Sequence, residues 1–205
     1  MNRPTGQERR FAEHLDDLAG REDSSARAAL AALRRGLGRA PGEAAEAARY
    51  VFPWLGQDAL DRQVDAYFQV AALFATHQIT WHRGEGDRGH NLGSSFWRLA
   101  HRDGGSEDPG AERRLVALLN AHPEEVGRHL RHAVSLLKAH DVPIDWAQLL
   151  RDIQEWTYAD RRVQLDWARA FWGGGVTPDD ADTSDASATP ADAAASTPPT
   201  ETTTS

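Results

Sequence analysis

The chain has 205 residues, 40% of them hydrophobic, and a formal net charge of -8, so it is long enough to build one core of ordinary size. It contains no cysteine, which excludes disulfides, thiolate metal sites and a cysteine nucleophile. No segment reaches the roughly 20 apolar residues of a membrane span, and the polar N-terminus does not resemble a signal peptide. We therefore expect a soluble cytoplasmic protein.

Apolar residues recur with a helical period along almost the whole chain, and no strand of useful length is indicated. The sequence therefore predicts an all-α, single-domain bundle of about eight to nine helices. Glycine-rich stretches at 82–90 and 102–110 favour loops. In chain order, the predicted helices run over about 5–18; from a cap at Asp23 or Ser24 to Gly36; over about 43–51; from a cap at Asp58 through Phe74; over about 92–101; from Asp108 through Leu119; from Pro123 through Leu137; from a cap at Asp145 through Trp156; and over about 160–172.

Most of these helices have one apolar face, and the clearest runs from Val126 to Leu137. Trp146, Trp156 and Trp167 lie on such faces, which favours packing in the core over stacking on bases. On the long central helix, the residues expected to face inward are Leu60, Val64, Tyr67, Phe68, Ala71 and Phe74.

The C-terminal segment differs in composition from the rest. Residues 174–205 contain six acidic residues, no basic ones and mostly Ala, Ser, Thr, Pro and Asp. Such a segment buries too little apolar surface to offset the entropy lost on ordering, so we predict a helical domain at 1–173 followed by a disordered acidic tail at 174–205. Without those six, 25 of the 31 acidic residues remain against 23 basic ones, so the domain is nearly neutral. Charged patches therefore matter more than net charge for what it binds.

No catalytic signature is present: the sequence lacks a Walker A loop and the GxGxxG, HExxH and GxSxG patterns. We therefore do not expect an enzyme or a cofactor. His122, Glu125 and His129 are plausible metal-ligand types on one helical face. Because a di-metal bundle needs further carboxylates from other helices, these histidines are expected to be surface residues, and no metal site is predicted.

Arginines outnumber lysines by 22 to one, and some of them form rows at about one-turn spacing. Such rows can contact successive phosphates, because the guanidinium fork donates two hydrogen bonds. The alternative is a solvated face with ordinary ion pairs. Local pairing is expected for Arg162 and Arg169 with Asp166, and for Arg151 with Glu155. The candidate phosphate ligands are Arg27, Arg34, Arg35 and Arg39 in or after the second helix, and Arg128, Arg131 and Lys138 in the helix after Pro123.

Six strings in order resemble one known family, CasB, the small subunit of the type I-E CRISPR complex Cascade. The resemblance covers most of residues 5–172, and the acidic tail is outside it. The strings are ALRRGLGRAPG at 32–42, LFATH at 73–77, NLGSSFWRLA at 91–100, AERRLVALLNA at 111–121, RHLRHAVSLLKAHDVPIDWAQLLRDIQEW at 128–156 and WARAFW at 167–172.

This resemblance implies an all-helical, non-catalytic subunit. Two copies would associate head to tail, beside the CasC backbone and the large subunit CasA. Their basic surfaces would help hold the CRISPR RNA and the target strand and guide the displaced non-target strand, which stabilises the R-loop. The resemblance points to Arg34, Arg35, Arg39, Arg113, Arg114 and Arg131.

Two of those residues differ in their predicted placement. Arg113 projects away from the apolar face of its helix, whereas Arg114 is nearer that face and is expected to be structural. A helical adaptor that binds only proteins, its arginines paired with acidic partners, remains the alternative function.

Overall fold

The computed structural model describes residues 3–81, 90–102 and 109–173, and in these ranges it contains nine α-helices and two short 3-10 helices. No strand is present there beyond an isolated bridge between Thr80 and Ile144. The predicted all-α fold is confirmed. Most of both predicted loops, Asp108 and the predicted tail at 174–205 lie outside the described residues. The helices are α1 (Gly6–Gly20), α2 (Ser24–Arg35), α3 (Ala45–Val51), α4 (Asp61–Thr76), α5 (Leu92–Ala100), α6 (Pro109–Leu119), α7 (Val126–Ala139), α8 (Trp146–Glu155) and α9 (Arg162–Trp172), with 3-10 turns at Pro41–Glu43 and Phe52–Trp54.

Side-chain caps fix several helix starts. The Asp23 carboxylate accepts the Ala26 backbone N–H at 2.8 Å, so Asp23 rather than Ser24 caps α2. Asp145 caps α8 in the same way, accepting the Gln148 N–H at 2.9 Å as predicted. Each cap satisfies an N–H that has no partner within the helix.

The predicted start of α4 is wrong. The residue before the first turn is Leu60, whose N–H donates to Gln63 Oε1 at 3.0 Å, so Asp58 does not cap this helix. Because a capping residue has extended backbone, its side chain does not continue the helical stripe, and Leu60 is 49% exposed instead of buried. Tyr67, Phe68, Ala71 and Phe74 are buried as predicted, and Val64 is partly buried.

The helix expected to open at Pro123 begins three residues later, at Val126, after a turn over residues 123–125. Its apolar face from Val126 to Leu137 is buried, as predicted. Trp146, Trp156 and Trp167 are buried as well, which confirms that they pack in the core.

Two helices cross with almost no space between them at Gly93. A Cβ atom built on Gly93 of α5 would lie 2.1 Å from the carbonyl oxygen of Trp167 in α9. Just before the crossing, Asn91 Nδ2 donates to the Asp166 carbonyl at 3.1 Å. The sequence thus allows the backbones of α5 and α9 to touch only because position 93 has no side chain.

A carboxyl group is buried where α8 meets Trp167 of α9. Asp152 of α8 is 4% exposed and accepts hydrogen bonds from Trp167 Nε1 at 2.6 Å and from Gln148 Nε2 at 2.8 Å. Burial raises the pKa of the Asp152 carboxyl to about 7, although both hydrogen bonds oppose that shift.

Candidate nucleic-acid interface

The candidate arginines at the end of α2 have different environments. Arg34 Nε and Nη2 donate to the Ala75 carbonyl at 2.9 and 2.7 Å. Ala75 lies in the last turn of α4, where carbonyls lack partners within the helix, so Arg34 caps α4. Arg35 pairs with Glu46 of α3, and its Nε–Oε2 distance is 2.9 Å. Both members of that pair are more than half exposed, so the pair is weak.

The side chains of Arg27 and Arg39 are exposed and make no hydrogen bond or ion pair with another described residue. Their guanidinium groups are therefore available to an external anion. Among the α2 candidates, these two fit the role of a phosphate ligand better than Arg34, which already holds another helix.

Arg131 connects α7 to the turn that follows α2. A Cβ atom built on Gly38 would lie 2.8 Å from Arg131 Nη1, so the guanidinium rests directly on the Gly38 backbone. Gly38 has φ +79°, in the left-handed region that favours glycine. The two arginine rows, separate in sequence, therefore meet where Arg131 lies against the residue preceding Arg39.

The exposed face of α7 is cationic along its length. No acidic residue occurs within Val126–Ala139. Arg128 is exposed and pairs at 3.0 Å with Glu125, which precedes the helix. Lys138, near the other end, is exposed, and its side chain makes no hydrogen bond or ion pair in the described part of the chain.

A groove of about 700 Å³ lies between α6 and α7. Arg113 and Arg114 contribute from α6, and His129, His132 and Ser135 from α7. The candidate residue Arg113 therefore shares a surface with α7, although the sequence did not indicate that these helices pair. The RHLRH string places His129 and His132 on one helix, but nothing in it indicates that α6 lies opposite them.

Arg114 is exposed rather than held against the apolar face of α6, which differs from its predicted placement. It lines the groove, and its Nη1 donates to the Gly110 carbonyl at 3.3 Å, one turn earlier. The buried stripe of α6 consists instead of Ala111, Leu115, Leu118 and Leu119.

The residues considered as metal ligands do not form a site in the described ranges. Glu125 is engaged by Arg128, whose Nη2 also lies 3.3 Å from His129 Nε2. Within those ranges, no group of three or more His, Cys, Asp or Glu side chains is arranged to hold a metal ion.

The predicted local ion pairs are present with one change. Arg151 pairs with Glu155, and Arg169 pairs with Asp166 at 3.2 Å. Arg162 pairs at 3.0 Å with Glu155 rather than with Asp166, because the start of α9 packs near the end of α8.

Comparison with known proteins identifies the family. The model of the family described as CRISPR-associated protein Cse2 matches residues 29–172. The chain belongs to the Cse2 family. The match ends at Trp172, before the predicted acidic tail begins.

The relatives support this membership. The Cse2 protein of Thermus thermophilus is 34% identical over 172 residues, which cover 83% of this chain and 93% of the relative. A crystal structure of a Cse2-family protein from Thermus thermophilus has 33% identity and a TM-score of 0.66, covering 81% of this chain and 97% of that one. A chain in a structure titled CRISPR RNA-guided surveillance complex has 29% identity and a TM-score of 0.68, covering 82% and 93%.

For this Cse2-family chain, we predict that Arg34→Ala costs about 1 kcal/mol of unfolding free energy, because it leaves the Ala75 carbonyl at the end of α4 without its donors. Arg35→Ala removes only an exposed ion pair with Glu46, so it should change the unfolding free energy by less than about 0.5 kcal/mol. Urea unfolding of both variants beside the wild type makes the comparison. Equal losses would show that Arg34 does not cap α4.

Proposed function

We propose that this chain is a non-catalytic structural subunit of a type I-E CRISPR surveillance complex, Cascade, in which it holds nucleic-acid backbone and stabilises the R-loop. The observation that supports this most directly is the acid-free, cationic face of α7. That face has a basic neighbour on each side: the Gly38–Arg39 turn contacts it through Arg131, and Arg113 and Arg114 face it across the groove.

This surface suits phosphates better than bases. Arginine donates two parallel hydrogen bonds to a phosphate, and rows at one-turn spacing can follow a strand without reading its sequence. R-loop formation exchanges one duplex for another of similar stability, so modest contacts to the backbone can shift the equilibrium. In this proposal the guide RNA reads the sequence and the subunit supplies charge.

The proposed partners follow from the family and from the solved relatives. They are the large subunit CasA, the CasC backbone, a second copy of this chain, the CRISPR RNA, and the target and non-target DNA strands, assembled in the cytoplasm. A chain similar to this one occurs in a structure named as an RNA-guided surveillance complex. None of the described helices is long and apolar enough to cross a membrane.

The proposal predicts that the double variant Arg39→Glu, Lys138→Glu lowers R-loop formation by the assembled complex at least tenfold. It should also flatten the salt dependence of affinity for DNA, because two phosphate contacts are removed. Neither side chain makes a hydrogen bond or ion pair in the described part of the chain, so the fold should be unaffected. The control is Arg10→Glu, which reverses one exposed charge on α1.

The complex is assembled by co-purification with guide RNA and is then titrated with target duplex at several salt concentrations. R-loop formation as strong in the double variant as in the control would show that these residues do not hold nucleic acid.

A purely protein-binding adaptor is the second candidate function. Leu165 and Trp172 are about half exposed and lie seven residues apart on one face of α9, and Val116 is exposed on α6. Exposed apolar side chains favour protein contacts. If Leu165→Asp abolished co-purification with the other subunits while the Arg39→Glu, Lys138→Glu variant formed R-loops normally, the adaptor function alone would remain.

A further inference from the structure

Side chains of α5 take part in two aromatic stacks, and the function proposed above uses neither of them. In the first, the rings of Trp97 and His101 are stacked, with centroids 4.7 Å apart and planes 23° apart. In the second, the Arg98 guanidinium lies 4.9 Å from the Trp81 ring centroid, and the His90 ring lies 3.7 Å from Trp81. Half-exposed aromatic rings beside cations are the usual means of holding unpaired bases.

The surroundings separate these two stacks. Trp81 borders a groove that is lined by three carboxylates, those of Glu13, Asp16 and Asp145, and by one guanidinium, that of Arg9. Carboxylates there would repel the phosphates on either side of a stacked base. The Trp81 stack is therefore poorly placed for nucleic acid.

The Trp97–His101 stack has basic neighbours. Arg102 is exposed, and its Nη1 donates to the carbonyl of His140, which is the residue directly after α7. This bond places the end of α5 beside the end of the cationic α7 face, near Lys138. In the described ranges one carboxylate, that of Asp141, follows His140 in the chain and is exposed, and Asp103, which follows Arg102, lies outside those ranges.

The stack is held in position before any ligand binds. Trp97 is partly buried and packs against the core. His101 Nδ1 donates to the Trp97 carbonyl at 2.8 Å, which orients the imidazole over the indole. His101 is exposed, which leaves part of its ring open to a ligand. A rigid ring that is partly open loses little entropy when a base stacks on it.

We propose that the Trp97–His101 stack accepts an unpaired nucleobase of a single strand whose backbone follows α7. The inference rests on the proposed function, since α7 must hold the backbone for a base to reach the stack. It adds contacts to bases without hydrogen-bond readout, because every base has a face that can stack.

The test compares two single-stranded DNA probes of 15 nucleotides, one of thymidines and one with abasic sites throughout, which carry the same phosphates. Each is titrated with the full chain and followed by fluorescence anisotropy. The wild type should bind the thymidine probe about fivefold or more tightly than the abasic probe, the factor contributed by stacking of one base. His101→Ala should remove most of this preference, and His101→Phe, which restores a ring, should keep it.

The outcomes separate the two proposals. Arg39→Glu should weaken binding to both probes by the same factor, because it removes only a contact with the phosphate backbone, which both probes share. Equal wild-type affinity for the two probes, or equal behaviour of His101→Ala and His101→Phe, would overturn the stack while leaving backbone binding in place. Failure to bind either probe would overturn both the stack and the backbone role.

Discussion

Gly93→Ala is expected to destabilise the fold by about 3 kcal/mol or more, a large part of the roughly 5–15 kcal/mol by which a folded domain is usually stable. The added methyl carbon would lie 2.1 Å from the Trp167 carbonyl oxygen and 2.8 Å from its Cα. These are backbone atoms of a packed helix, so no side chain can rotate away, and α5 and α9 must separate. Separation of the two helices would also stretch the hydrogen bond from Asn91 Nδ2 to the Asp166 carbonyl.

Thermal and urea unfolding of the purified full chain measure this effect. The matched control is Gly20→Ala in the last turn of α1, where an added Cβ meets nothing within 4 Å and alanine has the better helix propensity. The control should be neutral or slightly stabilising. A Gly93→Ala variant that unfolds at the same urea concentration as the wild type would show that the helices do not cross this closely.

Asp152→Asn is expected to change how stability depends on pH. Burial raises the pKa of Asp152 from its ordinary value of 3.8 to about 7, so the folded protein keeps the proton where the unfolded chain has lost it. Stability is therefore lost as pH rises from about 4 to about 7. Asparagine never ionises, so the unfolding free energy of the variant should exceed that of the wild type by on the order of 2–4 kcal/mol between pH 5 and pH 8.

The amide also fits the site. Asparagine Oδ1 can accept the Trp167 Nε1 hydrogen, and rotation of the Gln148 amide presents its oxygen to the new Nδ2. Urea unfolding at pH 5 and pH 8 makes the measurement, with Asp58→Asn as the control because Asp58 is exposed. Parallel stability curves for Asp152→Asn and the wild type would mean that Asp152 ionises normally in the folded protein.

The helices could be predicted because the spacing of apolar residues is local information. The stripe from Val126 to Leu137 has the same period in the sequence as on the helix, and all of it is buried. The start of α4 was predicted wrongly because Asp58 and Leu60 compete for the capping position, and the Gln63 side chain favours Leu60. Which residue caps the helix depends on side-chain geometry, and the spacing of apolar residues in the sequence does not indicate that geometry.

The site depended more on contacts between distant segments. Nothing near Arg34 in the sequence indicates Ala75, 41 residues away, as its partner, and the contact of Arg131 with Gly38 spans still more of the chain. Asp152 is different, because it lies between Leu149 and Trp156 on a helix with a strong apolar face. Its position on that stripe was a sequence signal for a buried carboxyl.

The contact between Arg131 and Gly38 also has an evolutionary consequence. The guanidinium occupies the space where a side chain at position 38 would lie, and the positive φ of Gly38 strains any other residue there. A larger residue at 38 would push the end of the Arg131 side chain off the turn, so the contact needs glycine at 38, whereas glycine at 38 does not need arginine at 131. We therefore expect the two positions to covary among Cse2 proteins, with long side chains at 131 found where 38 is glycine.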